Sequence, residues 1–450
     1  MKTRGEIKLL FIIALLFCFA TTSYAADNWK VKQDEMFAKI GLKPGDKIDT
    51  SNWEKVKDLL PFSVAAWVKK GDLPITIGEY KFDASPDEAW KKASAANAGK
   101  YDVDQTGALI DAQTKKIPDY VFGEPFPVIE ENDPNAGVKL IWNYDLKKAR
   151  VGTWHTNFGM EWIGRNGFEK KIVGNYLVYY YNCRPDGPQD NPNQYMELSL
   201  FPVVEPYDVQ GLVQLNRKFI SDKQDDVYAY IPAIRRVKKL SGANRSDPSV
   251  GSDFILDDSN GWSGKNTTMK WKFIEKTTVL VPQVDWNMEA PLTAMKQSDG
   301  SWLVEGSKTP PTEGYNDPNW KGAPWFPMNI KWAPREVYVV EAEAKDPYYS
   351  YGKCTYYIDR SMGICFKIIY NKAREYWKTL LTLPMIVDYN GNRDLGSAIT
   401  WYGSVDDKAE HTTTAPCYGT YGGSKYWTKF TDPNLVPAIY VPTQMATMTR

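Results

Sequence analysis

The chain has two histidines, the only side chains whose unperturbed titration falls near neutral pH. His155 lies in Thr153-Trp-His-Thr156, a strand-like context in which a structural role is expected. His411 stands between Glu410 and Thr412–Thr414 in a polar stretch that reads as a solvated loop. No CxxC or HxxxH spacing exists, so no metal centre is expected. A G-x-S-x-G elbow, a phosphate-binding P-loop and a dinucleotide fingerprint are also absent. Asp257-Asp258-Ser-Asn260-Gly261 has acids suited to calcium, but its glycine is not sixth, as an EF-hand loop requires, so a capped turn is the better expectation. A carboxylate pair for glycoside hydrolysis cannot be selected from 55 acids by spacing. No catalytic residue and no cofactor are therefore expected, which leaves binding chemistry.

For binding, the notable supply is aromatic: 17 Trp, 28 Tyr and 17 Phe in 450 residues. Such side chains suit strands and extended apolar surfaces. Lys+Arg and Asp+Glu balance at 55 each and no basic run exceeds two residues, which argues against a nucleic-acid partner. On the segment Ile172–Tyr181, Leu177, Tyr179 and Tyr181 share one face, as Tyr228 and Tyr230 do on the next aromatic strand. With Trp162 they are the expected lining of a groove. Arg235 and Arg236 follow and are the candidate rim, reaching an acidic head group; a charge-protected edge strand is the open alternative.

Positioning these residues falls mainly to β-structure. Helix signals cluster early: the capping box Ser51-Asn-Trp-Glu54, Pro61 opening a helix that Gly71 stops, and Ser85-Pro-Asp-Glu88 starting one that reaches Ala96. Beyond Tyr120 long helical periodicity disappears. Strands are expected at 172–181, 195–201, 212–220, 227–231, 269–281, 337–342, 354–358 and 364–370, with turn-rich clusters between them. The fold class is mainly β: a large curved antiparallel sheet, an open half-barrel, with a few short helices near the N-terminus. Residues 295–334, rich in Trp and Pro, read as a surface-packed insertion.

Lys2, Arg4 and Lys8, an apolar run from Leu9 to Ala20 and Ser23-Tyr-Ala25 form a signal peptide over residues 1–25. Export makes disulfides possible. With the turn of the late hairpin near Asp359–Gly363, Cys354 is expected opposite Cys365 and bridged to it; Cys183 and Cys417 remain.

Three stretches then carry a resemblance. They are Phe122-Gly-Glu-Pro-Phe-Pro127 with Asp133-Pro-Asn-Ala-Gly137 and Ile141-Trp-Asn143; Val227-Tyr-Ala-Tyr-Ile-Pro232 with Arg235, Arg236, Val237, Asp253, Phe254, Asp257 and Asp258; and Tyr356-Tyr-Ile-Asp359 through Gly363 to Tyr370. In this order they resemble the periplasmic family called domain of unknown function 1329, whose members are labelled outer membrane lipoprotein-sorting proteins. The resemblance implies a fold like that of the Lol-type lipoprotein carriers. The end of the helix signals near Tyr120 divides the chain into an N-terminal helical segment, 26–120, and a β domain, 121–450, that the resemblance makes carrier-like. It implies a soluble, non-enzymatic protein of the Gram-negative periplasm that carries a lipid, lipoprotein acyl chain or other hydrophobic molecule. Its partners would be an envelope transporter or outer-membrane acceptor. A glycan-binding or glycan-modifying protein is the alternative. A carrier is expected to hold a sheet-walled cavity of roughly several hundred Å³.

Overall fold

The computed structural model describes residues 29–241, 245–305, 310–389, 392–417, 420–421, 424–425 and 427–449. The expected signal peptide lies outside them. Fourteen of the seventeen described strands of the main sheet are numbered here in chain order. The first seven are β1 (Thr153–Gly164), β2 (Gly167–Tyr180), β3 (Tyr195–Glu205), β4 (Val213–Phe219), β5 (Asp226–Ile231), β6 (Arg236–Leu240) and β7 (Met269–Val284). The others are β8 (Ile330–Ala344), β9 (Lys353–Asp359), β10 (Gly363–Tyr370), β11 (Tyr376–Tyr389), β12 (Asn392–Asp406), β13 (His411–Pro416) and β14 (Trp427–Phe430).

Antiparallel pairing runs from β6 through β5, β4, β3 and β2 to β1. β1 hands over to β13, and the order continues through β12, β11, β10, β9 and β8 to β7. β14 extends the same edge of β1 and carries the short strand Trp302–Glu305. Among the described residues no pairing joins β6 to β7, so the sheet keeps two edges and does not close into a barrel. The β6 edge presents exposed Arg236, Lys238 and Lys239, charges that discourage edge-to-edge pairing.

Each face of this sheet is covered. The outer face takes α1 (Trp29–Ile40) and α2 (Phe62–Lys70), with the 310–327 segment and the C-terminal 437–449 segment. α2 follows its sequence signals: Pro61 caps it, Gly71 ends it with a φ of 89°, and Val64, Trp67 and Val68 are buried. α3 (Glu88–Ala96) begins where Asp87 accepts the Trp90 amide at 3.0 Å. The expected helix after Ser51 is instead two 3₁₀ turns, with no side-chain cap bond.

The inner face holds a helix that the helical period does not reveal. α4 (Ala136–Lys147) has eleven buried residues of twelve, so polar and apolar faces never alternate along it. It lies against β7 through Gly137, where an added Cβ would stand 2.9 Å from the Lys272 backbone nitrogen. Because that neighbour is backbone, it cannot swing away. Gly137→Ala is expected to cost roughly 1–3 kcal/mol of stability in urea unfolding. A neutral result would mean that α4 is free to shift.

The late hairpin corrects the expected disulfide. Asp359 pairs with Gly363, and a bulge between Tyr357 and Ile358 moves the register again, so Cys354 faces Ile369. Cys354 belongs to the core cluster around α4, and Cys365 to the cluster beneath α2. The two side chains therefore pack in different parts of the core. All four cysteines among the described residues are buried free thiols.

Candidate functional site

Between the inner face and the segment 245–263 that crosses it lies a cavity of about 90 Å³. The strand period of two assigns its walls. β1 contributes Trp154, Thr156, Phe158 and Met160; β3 contributes Glu197, Ser199 and Phe201; β4 contributes Gln214, Asn216 and Lys218. Tyr176, Phe254 and Tyr402 complete an aromatic side. Phe158 stacks on Phe201 with ring centroids 5.2 Å apart, and Phe254 meets Tyr402 at 4.8 Å. The opposite side is polar: Gln214 donates to Asn216 at 3.2 Å, and Asn216 donates to Ser199 at 3.2 Å. The volume falls well short of the several hundred Å³ expected, because α4 and the crossing segment occupy the space in front of the sheet.

Buried charges pin the crossing segment. Asp258 accepts Lys367 Nζ at 2.6 Å, the Tyr351 hydroxyl at 2.6 Å and the Ile255 amide at 2.9 Å. Asp257 accepts Arg245 Nε at 2.7 Å and the Tyr349 hydroxyl at 3.0 Å. The pair Asp257-Asp258 thus lies in the expected capped turn and has Arg245 and Lys367 as partners. Asp253 is 2.7 Å from His411 Nδ1 and accepts the Thr413 hydroxyl at 2.8 Å. His411 is therefore a half-buried strand residue, not a solvated loop residue. At the polar end, Asp145 of α4 lies 2.5 Å from Lys148 and 2.9 Å from Lys218. Burial raises its carboxyl pKa, and the two lysines more than offset that, leaving it below its ordinary value.

The family model for a protein of unknown function, DUF1329, matches residues 47–416. The chain belongs to the DUF1329 family. Similar crystal structures include an outer membrane lipoprotein-sorting protein domain from Vibrio parahaemolyticus, at 15% identity and a TM-score of 0.45 over 71% of this chain and 100% of that one. A DUF1329 family protein from Desulfovibrio piger matches at 13% identity and 0.42, over 68% and 98%. A LolA superfamily protein from Nitrosomonas europaea matches at 12% and 0.36, over 66% and 96%. No curated protein matches the chain. Among the described residues of this DUF1329 protein, no helix is long and apolar enough to cross a membrane.

None of the eight residues singled out from sequence lines the cavity. Trp162 is buried on the inner face, and its indole donates to the Gly251 carbonyl at 3.0 Å. Leu177, Tyr179, Tyr181, Tyr228 and Tyr230 pack on the outer face with Tyr440 and Met445. Leu177 also borders an open groove of about 580 Å³ beside His155, Leu303 and Trp427. Arg235 and Arg236 are exposed at the β5–β6 turn, Arg235 with a φ of 51°. On β2 the lining residue is Tyr176, one position from Leu177 and so on the opposite face, while on β1 the lining residues Trp154, Thr156, Phe158 and Met160 share the face of Trp162. His155 has the structural place expected, 3.1 Å from Asp432 and edge-on to Trp427.

A further site had no sequence signal. Glu161 of β1 and Glu313 of the covering segment are 1% and 4% exposed. The Tyr315 hydroxyl donates to Glu161 at 2.9 Å, and the Trp401 indole donates to Glu313 at 2.8 Å. Both carboxyls are pushed up by burial, Glu161 further by the charge of Glu313, to about 8 and about 7. This pair is sealed beneath the insertion, whereas glycan cleavage needs its carboxylates in an open cleft.

Proposed function

We propose that this DUF1329 protein is a non-enzymatic periplasmic carrier or binding protein for a lipid or other hydrophobic molecule. One observation carries this reading: the inner-face cavity, with Trp154, Phe158, Met160, Tyr176, Phe201, Phe254 and Tyr402 along one side. Taking an acyl chain out of water contributes about 0.8 kcal/mol per CH₂, so such a wall favours an apolar occupant. At about 90 Å³ the cavity is well below the roughly 300 Å³ at which ligand pockets begin, too little for an acyl chain. Loading therefore requires the 245–263 segment to lift from the strands, and its charge pins set the cost of that motion. An envelope transporter or an outer-membrane acceptor would supply and receive the ligand.

Protein purified from its native periplasm without detergent is expected to yield an apolar molecule at near-stoichiometric amounts on organic extraction and mass spectrometry. Phe158→Asp should lower that load strongly, since it sets a charge against the aromatic wall. Recovery of nothing apolar from the wild type, with no uptake of a neutral apolar dye, would remove the carrier reading.

A further inference from the structure

Glu197 is the one charged side chain of the cavity wall, among the described residues, whose charged group makes no hydrogen bond or ion pair. It lies on β3, lines the cavity and is 5% exposed. The other charged groups at that wall have partners: Lys218 with Asp145, and Arg245 with Asp257. Among the described residues no hydrogen bond or ion pair is made by the Glu197 carboxylate. A buried carboxylate that faces open volume without donors is costly unless something supplies them.

Local charge decides what kind of donor fits. Lys148 and Lys218 both converge on Asp145, which leaves one positive charge in excess. Glu197 stands opposite Lys218 in the β3–β4 register and provides the fourth charge, two lysines against two carboxylates. A cationic ligand would unbalance this set by one, and an anionic ligand by one in the other sense. A neutral donor satisfies Glu197 and leaves the balance intact. Ser199, Gln214 and Asn216 add hydroxyl and amide groups along the same wall, while the aromatic side faces them.

We infer that the polar end of the cavity takes a neutral, hydroxyl-bearing head group, with Glu197 accepting its hydrogen bonds and the ligand's apolar part against the aromatic wall. This rests on the carrier reading and narrows it to neutral hydroxylated amphiphiles.

The test uses the full mature chain loaded with the neutral dye N-phenyl-1-naphthylamine and displaced by three twelve-carbon competitors: monolauroylglycerol, laurate and dodecylammonium. For the wild type, monolauroylglycerol should displace the dye at a concentration about tenfold below either charged competitor, as expected for hydrogen bonds to a charged acceptor. Glu197→Leu should weaken monolauroylglycerol about tenfold and strengthen laurate, because the surplus lysine charge is then uncompensated. The isosteric Glu197→Gln should also strengthen laurate while keeping part of the preference for the glyceride, which covers the case in which the leucine variant does not fold. Dye binding with no head-group preference, a preference for dodecylammonium, or a preference unchanged in both variants would overturn this inference and leave the carrier reading standing. A wild type that binds neither dye nor competitor would overturn both.

Discussion

Lys367→Met is expected to destabilise the protein by about 3–5 kcal/mol, the range found when one partner of a buried ion pair is removed. Lys367 of β10 and Asp258 of the crossing segment are both 0% exposed, with 2.6 Å between Nζ and the carboxylate. Burial disfavours the Lys367 ammonium, and the carboxylate of Asp258 more than offsets this, holding its pKa above the usual value. The rings of Tyr351 and Tyr356 stand 5.2 Å from Nζ and add cation–π attraction. Methionine fills a similar volume but leaves Asp258 charged, with only the Tyr351 hydroxyl and the Ile255 amide as donors. Urea unfolding followed by tryptophan fluorescence reads the loss. Adding Asp258→Asn to Lys367→Met should recover most of it, because the orphaned charge is then gone. A single-variant loss below about 1 kcal/mol would mean that water reaches the pair. This bond also ties the 245–263 segment to the sheet, so a milder variant at the same place, Tyr351→Phe, should speed uptake of the apolar dye. That links the interior ion pair to access to the cavity.

How much of this was legible in the sequence depends on which physical signal each element leaves. Strand β2 was readable because Val173, Leu177, Tyr179 and Tyr181 alternate with a period of two. Alternation states that residues share a face; it cannot state which face meets a cavity. Here the C-terminal segment, with Tyr440 and Met445, covers the tyrosine face, and the cavity lies on the opposite one. The turn after Asp359 was readable from its composition, yet one bulge separated Cys354 from Cys365, since a single inserted residue shifts every later pair. Helix α4 left no amphipathic period because sheet and crossing segment surround it, although Ile141-Trp-Asn143 within it is part of the family resemblance. Glu197 sits in the plain alternation of Tyr195–Phe201, and only its missing partner distinguishes it.

The stability of the protein is expected to fall as pH rises from about 5 to about 8, with Glu161 and Glu313 as the cause. Their carboxyls stand near 8 and 7 when folded, raised by burial and, for Glu161, by the neighbouring Glu313 charge. In the unfolded chain both return to an ordinary value of ~4.3. Between these values the folded state binds more protons than the unfolded state, so stability decreases with increasing pH. Below the unfolded value both states are protonated and the penalty vanishes; above the folded values it is complete. The two carboxyls titrate together, so one proton shared between them delays the second ionisation. A tenfold change in proton affinity is worth ~1.4 kcal/mol, so the total loss reaches at most roughly 9 kcal/mol. Glu313→Gln keeps an oxygen for the Trp401 indole and removes one charge, so it should flatten the profile and raise stability at pH 8.5 above that of the wild type. Glu161→Gln should do the same while retaining the Tyr315 hydrogen bond. Urea midpoints at half-unit steps from pH 5 to pH 9 give the measurement. A wild-type profile that stays level across this range, or variants that keep the wild-type slope, would show that the two carboxyls are ionised already at neutral pH and that a solvent path reaches them beneath Tyr315.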